Sequence, residues 1–452
     1  MDRMRRTEFR SGLKKFLFRA AALVLCLSIL CACSGKGKKP GPAGSADINT
    51  GELLQNSNGN LGQSGTVTPV GDLMGDTGYR APSAEEETAK KTDSSGRAEL
   101  EDERLAFGIS PDTVALVCEE QEGRYFYDHM DAAEHELYAE IIMILKGHGE
   151  NILVSAGNPE QINKAFYCVF QDHPEIFWVS GYSYRKYTNG SDTYFSFTGK
   201  YTYTESECEA FQSGIDQYTS ECLGGLSKFS TQYEKVKYVY EYVIKHTDYD
   251  LSAPDNQNIL SVFLKGKSVC QGYAKAVQYL LERAGVPCTL VVGTVTGNEG
   301  HAWNLVNIDG AYYYLDATWG DSGYQRSSGE KSVPGREVSY DFLNVTDEEL
   351  FKTHTPDNVL PMPQCTAINA NYYVKEGLFF DSYNEQSLYV IFHQAQSGGK
   401  HYAAVKCADP ETYKLFCDSL IGNRRIFELL NKDTESVDYV TNDSQYILCF
   451  MF

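Results

Sequence analysis

Three residues of this 452-residue chain have the types and spacing to do chemistry together: Cys270, His301 and Asp316. All fall in one stretch, residues 268–319, which reads SVCQGYAKAVQYLLERAGVPCTLVVGTVTGNEGHAWNLVNIDGAYYYLDATW. A thiol becomes a strong nucleophile when a base takes its proton, and the base works when a third group holds its ring. A cysteine, a histidine and an aspartate fill those roles. Their joint chemistry is attack on a carbonyl carbon.

The elements that position them can be read from pattern. After Cys270, apolar residues fall at Tyr273, Ala276, Val277, Leu280 and Leu281, the spacing of a helix with one buried face. Gly285 and Pro287 end it. Cys270 therefore sits at or just before the first turn, where free N–H groups and the positive end of the dipole favour a thiolate and can hold an oxyanion. CTLVVGTV reads as a strand, HAWNLVNI as a second and AYYYLDATW as a third, with a tight hairpin at Asp309-Gly310. That turn pairs Ile308 with Ala311 and predicts His301 opposite Thr318 and Trp303 opposite Asp316. His301 and Asp316 then share one sheet face as diagonal neighbours, about 7–8 Å apart at Cα. A one-residue shift would put the carboxylate on the other face.

The blocks VCQGYAKA, HAWNLVNIDG and YYYLDATW, in that order, resemble the transglutaminase-like superfamily, which shares a papain-like core. The resemblance covers residues 230–320 and extends more loosely to Cys365. It implies Cys270 as nucleophile, His301 as general base and acid, and Asp316 as the residue that orients His301. HPEIFW, FLNVTDEEL and CTAINANYYVKEGLFF also resemble companions of this domain in bacterial secreted members. The fold class expected is α+β: a nucleophile helix packed on an antiparallel sheet, flanked by N- and C-terminal α/β modules.

Several accessory residues have two readings. Trp303 and Trp319 read first as core aromatics under the sheet and second as walls of an acyl-binding cleft. No tryptophan upstream of Cys270 lies nearer than Trp178, so a second oxyanion donor is sought in Gln257, Asn258 or Tyr249, residues equally suited to loop and capping roles. His129, His135, Asp131 and Glu134 lack the spacing of one helical face. Asp248, Asp250 and Asp255 lack the glycine and terminal glutamate of a calcium loop. No metal or other cofactor is expected.

The N-terminus reads as a processing signal. Seven basic residues precede an apolar run, residues 20–30, too short to span a bilayer comfortably, and Leu30-Cys31-Ala32-Cys33 resembles a bacterial lipobox. The expectation is cleavage after residue 32, lipidation of Cys33 and anchoring on the extracytoplasmic face of the cell membrane. Residues 33–105, rich in Gly, Ser, Pro and Asn, are expected to be a disordered tether. The chain carries −21, and the leader has seven basic and two acidic residues, so the remainder carries about −26. Such a surface excludes non-specific nucleic-acid binding. The thirteen cysteines include Cys26 and Cys31 in the leader. Beyond Cys33 and Cys270, nine remain, without CxxC spacing and mostly in apolar runs, which suits reduced core thiols.

The domain reading is thus a signal at 1–32, the tether at 33–105, an N-terminal module at 106–225, the catalytic core at 226–364 and a C-terminal module at 365–452. In the last, NYYVKEGLFF, SLYVIFHQA and HYAAVKC read as strands and PETYKLFCDSLIG as a helix. The expected function is cysteine acyl transfer on a protein or peptide substrate, hydrolysis slightly favoured over crosslinking. The alternative is a non-catalytic surface-anchored protein-binding module that retains the three residues.

Overall fold

A computed structural model describes residues 77–321, 336–357 and 359–452. The expected leader, Cys33 and most of the expected tether lie outside the described residues. Among the described residues, no helix is long and apolar enough to cross a membrane.

Mixed helices and three main sheets make the fold α+β. The N-terminal part contains β1 (Ser83–Lys91), α1 (Ser94–Phe107), α2 (Pro111–Gln121), α3 (His135–Lys146), β2 (Ile152–Val154), α4 (Pro159–Asp172), β3 (Val179–Asn189) and β4 (Asp192–Tyr201). Its sheet runs in the order β1-β3-β4-β2. Asn158 caps α4 by accepting from the Gln161 N–H at 2.9 Å, with Pro159 in the first turn. The β3–β4 hairpin turns at Gly190-Ser191, with Asn189 paired to Asp192.

The expected disorder to residue 105 is corrected by β1 and α1. SAEEETAKK pairs in parallel with β3 along its length. It reads as tether because it is an edge strand with almost every side chain exposed, so no apolar alternation marks it. Its side chains instead pair with β3 and β4: Glu87 with Arg185 and Ser183, and Glu85 with Lys200.

The central part opens with α5 (Glu205–Gly225) and α6 (Gln232–His246). Next come α7 (Cys270–Arg283), β5 (Cys288–Val295), β6 (Glu299–Ile308), β7 (Ala311–Leu315), β8 (Leu343–Val345) and β9 (His354–Pro356). The sheet is antiparallel in the order β8-β7-β6-β5-β9. One core joins Val236, Val239 and Val243 of α6, the Tyr273–Leu281 stripe of α7 and Val306, Ile308 and Leu315 of the sheet.

α7 was expected to bury one face. Every residue from Cys270 to Leu281 is buried. The N-terminal part covers the second flank: Gln278 Nε2 donates to the Gln171 carbonyl at 2.9 Å, and Lys275 Nζ sits 3.4 Å from the Phe170 ring centroid. Periodicity sees only the apolar stripe, because the second interface is lined with polar side chains.

The C-terminal part has β10 (Phe379–Phe380), α8 (Glu385–Ser397), β11 (Tyr402–Cys407), α9 (Pro410–Phe416), β12 (Asp438–Asn442) and β13 (Ile447–Met451), with sheet order β10-β11-β13-β12. SLYVIFHQA is helical, correcting the strand expectation. Its β-branched and aromatic content suggests a strand, but Asn384 caps it through the Ser387 N–H at 2.9 Å, and Leu388, Phe392 and Ala395 bury one helical stripe. NYYVKEGLFF splits into a short helical turn, Tyr372–Lys375, and β10.

Candidate functional site

The fold brings Cys270, His301 and Asp316 together, each fully buried. Cys270 is the first residue of α7, after Val269, which provides no side-chain cap. Its sulfur lies among Ala274, Leu290, Val292 and Ala302, with Tyr79 and Tyr167 packed beside them. Asn304 Nδ2 donates to the Ala274 carbonyl at 2.9 Å, pinning α7 to β6 three residues from His301.

The β6–β7 register is the expected one, Ile308 against Ala311 and Asn304 against Leu315. The ladder ends there. The expected pairs His301–Thr318 and Trp303–Asp316 do not form, because Asp316 leaves the strand to cap a short helical turn, Ala317–Gly320. Its Oδ1 accepts from the N–H groups of Thr318 (2.8 Å) and Trp319 (3.0 Å). Its Oδ2 accepts from His301 Nε2 at 2.7 Å. A carboxylate can only accept, so His301 carries its proton on Nε2. His301 Nδ1 makes no hydrogen bond to N or O, and the ring interacts with the Cys270 sulfur.

A fourth residue was not found from sequence. His354 on β9 places Nε2 3.2 Å from Asp316 Oδ2, and its Nδ1 lies 2.8 Å from the Thr353 hydroxyl. Both imidazoles thus donate to one carboxylate oxygen, and both rings pack with Trp303 and Trp319. Gly293 makes the approach of β9 possible. It lies opposite His301 on β5, and a Cβ there would stand 2.1 Å from the Thr355 carbonyl oxygen. The signal in the sequence was faint: one histidine in FKTHTPD, far along the chain, on a three-residue strand.

Electrostatics divide the two histidines. Burial opposes charge on His301, but the Asp316 carboxylate and the Cys270 sulfur outweigh it and raise its pKa to about 10. Burial likewise opposes charge on Asp316, yet the His301 charge and hydrogen bonds from both imidazoles hold it well below the usual carboxylate range. For His354 burial wins: helped by the nearby His301 charge, it lowers the pKa despite Asp316. The arrangement sets the His301 ring between the Cys270 sulfur and the Asp316 carboxylate, both of which favour its protonated form, with a second imidazole behind whose surroundings favour the neutral form.

His301, Asp316 and His354 offer ligand atoms within 4.8 Å of one another. Ligands on a shared tetrahedral zinc, with bonds of about 2.0–2.1 Å, stand about 3.3 Å apart. The 2.7 Å contact is a hydrogen bond, and a cation would compete with the protons that bind this cluster together.

The oxyanion candidates separate. Asn258 Oδ1 accepts from the Leu260 N–H at 2.9 Å, a capping role. Gln257 Nε2 donates to the Gly78 carbonyl at 2.8 Å, and its Oε1 accepts from the Arg80 N–H at 2.9 Å. Tyr249 reaches the centre: its hydroxyl donates to the Thr77 carbonyl oxygen, which also accepts from Cys270 Sγ at 3.5 Å. Trp303 and Trp319 are core aromatics clustered with Val291, Leu305, Tyr314 and Phe342. Trp178 is remote, its Nε1 donating to the Leu145 carbonyl.

The acidic and histidine groups weighed for metal have protein partners. His129 and His135 bond to the Tyr125 and Tyr127 carbonyls, Asp250 pairs with Lys267 at 3.0 Å, and Asp255 accepts from the Tyr203 hydroxyl. The ten cysteines among the described residues are free thiols. A cavity of about 470 Å³ lies between the N-terminal part and the core, beside Arg124, Glu282 and Cys288, but none of Cys270, His301 and Asp316 lines it.

Residues 223–317 match the transglutaminase-like superfamily model, and this segment is a transglutaminase-like domain. The chain is 26% identical to human (Homo sapiens) kyphoscoliosis peptidase over 164 residues, 32% of this chain and 24% of that protein, and 25% identical to the Mus musculus protein over the same shares. It therefore spans about a quarter of the length of the curated relatives it matches. Similar solved structures include a TGase (TM-score 0.23, 19% identity, 31% of this chain and 44% of that one). The periplasmic domain of TgpA from Pseudomonas aeruginosa is another (TM-score 0.20, 16% identity, 30% and 56%).

Proposed function

We propose that the chain is a cysteine acyl-transfer enzyme acting on peptide or glutamine amide bonds. One observation carries this reading: His301 is tied to Asp316 through Nε2, while Nδ1 is left for the Cys270 sulfur. In that geometry His301 takes the thiol proton and Cys270 Sγ attacks the carbonyl carbon. The oxyanion is held by N–H groups of the first turn of α7 and by the Tyr249 hydroxyl. As the C–N bond breaks, His301 returns the proton to the leaving amine and a thioester remains. Water or a second amine then cleaves the thioester. Asp316 keeps the ring oriented and stabilises its charge, and His354 keeps Asp316 in place.

Hydrolysis is slightly favoured over crosslinking. Its support is the peptidase name of the curated relatives and the expected surface location, with Cys33 lipidated and the catalytic part tethered to the outer face of the cell membrane. The test compares the native chain with Cys270→Ala on a glutamine-rich protein plus a labelled primary amine, read by mass spectrometry. Amine addition dependent on Cys270 would mean transfer. New peptide ends or deamidation dependent on Cys270 would mean hydrolysis. Products identical in both proteins would refute the assignment.

A further inference from the structure

The three catalytic candidates are fully buried, and what covers the sulfur is a short run of this same chain, residues 77–80. The Thr77 carbonyl oxygen lies 3.5 Å from Cys270 Sγ and accepts from the Tyr249 hydroxyl. The Thr77 hydroxyl donates to the Gly300 carbonyl, next to His301. Gln257 then grips the main chain twice, at the Gly78 carbonyl and the Arg80 N–H. That pair of bonds recognises peptide backbone whatever the side chains are. Gly78 has φ +68°, and a Cβ on it would lie 2.6 Å from Val269 Cγ1 and 2.8 Å from Leu251 Cδ2. Tyr79 packs its ring on Gly300, where a Cβ would stand 2.6 Å from Tyr79 Cδ1.

These contacts are what a donor peptide needs: a carbonyl between the nucleophile and an oxyanion donor, a main-chain clamp, a glycine-only position and a seat for an aromatic ring. We propose that Thr77–Arg80 is a built-in pseudosubstrate that fills the acyl-donor cleft. The cleft's ligand is then a peptide whose donor carbonyl is followed by glycine and then an aromatic residue. The inference rests on the acyl-transfer reading and extends it to specificity and control. Sγ meets Thr77 through the carbonyl oxygen, as a hydrogen-bond donor, so the seated strap is held without attack on its carbon. A substrate enters when the strap leaves.

The test uses the full chain. Gly78→Val cannot seat, because neither its φ nor its space admits a side chain. Alkylation of Cys270 by iodoacetamide is followed by peptide mass spectrometry. The expected result is labelling about tenfold or more faster in Gly78→Val than in the native chain, with acetyl-Thr-Gly-Tyr-Arg-amide added in trans slowing it again. Equal rates in the two proteins, or no protection by that peptide, would overturn the proposal. Gln257→Ala, which removes the clamp and leaves the glycine unchanged, should also label faster, and unchanged labelling in it counts against the strap. Adding His301→Ala separates the two readings. Acceleration by Gly78→Val that survives His301→Ala undiminished supports the strap and counts against His301 as base. Fast labelling of the native chain that His301→Ala slows does the reverse.

Discussion

His354 Nε2 stands 3.2 Å from Asp316 Oδ2, so the carboxylate that holds the His301 ring also holds a second imidazole. With Oδ1 bound by two backbone N–H groups, Asp316 accepts four hydrogen bonds and has no freedom to turn. His354 acts on the chemistry through Asp316, as a positioning residue.

His354→Ala should lower kcat about 10–100-fold, the worth of one hydrogen bond to a charged group, with KM little changed. Loss of its N–H raises the Asp316 pKa, yet the carboxylate stays ionised at neutral and alkaline pH and no longer shares its charge with a second imidazole, so the His301 pKa rises. The alkaline limb of the pH profile for Cys270 alkylation should therefore move to higher pH. His354→Asn, which keeps an N–H donor, should restore part of both. A fall in activity with an unmoved pH profile would reduce His354 to packing.

Asp316→Asn removes the charge that stabilises the protonated form of His301 while leaving an amide of the same shape. Activity should fall about 10³–10⁴-fold, as expected when the ring loses its orienting anion. Circular dichroism should stay native. The result to check is a Cys270 that reacts slowly at neutral pH, measured against the native chain.

Two buried groups titrate in opposite senses over the same range. His301 is raised from 6.5 to about 10, so its stabilisation is complete below 6.5 and is lost as pH rises through about 10. Lys275 is lowered from 10.5 to about 7 by burial, only partly offset by Glu175. The unfolded chain binds its proton more tightly, so this penalty is greatest below about 7 and fades as pH rises toward 10.5. The two slopes cancel in the native chain, and its unfolding midpoint should change little between about pH 7 and 9.5. Lys275→Met should gain roughly 2–4 kcal/mol at pH 7 and then lose stability with rising pH. His301→Ala should show the opposite slope. Thermal unfolding of the three proteins at several pH values checks this, and parallel curves would sink it.

Gly293→Ala tests how β9 is brought in. The added methyl collides with the Thr355 carbonyl oxygen and with Trp303, so β9 must shift. Destabilisation of roughly 2–3 kcal/mol is expected, together with activity loss resembling that of His354→Ala. Native stability and activity in this variant would mean that β9 adapts freely.

Local rules explain what was legible. The helix beginning at Cys270, the Asp309-Gly310 turn and the pairing of Asn304 with Leu315 follow from short-range periodicity and turn chemistry, so Cys270, His301 and Asp316 could be placed together. The cap at Asp316 is not legible, because strand and cap share the same extended backbone up to that residue. His354 was invisible because it arrives by a non-local pairing, at the position opposite Val295. The strap was hidden in polar, glycine-bearing sequence that composition assigns to a tether. The β-branched and aromatic composition of α8 points to a strand, and its Asn384 cap is a weaker local signal.

The polar second flank of α7 has a further consequence. Lys275, Gln278 and Glu282 are neighbours on it, turned toward Phe170, Gln171 and Arg124. All three partners lie outside residues 223–317, so the segment that marks kinship is smaller than the unit that folds. Excised at those borders, it would bare a lysine, a glutamine and a carboxylate adapted to a neighbour no longer there. Shuffling this domain between proteins would require carrying α4 along with it, or rewriting one side of the helix that bears the sulfur.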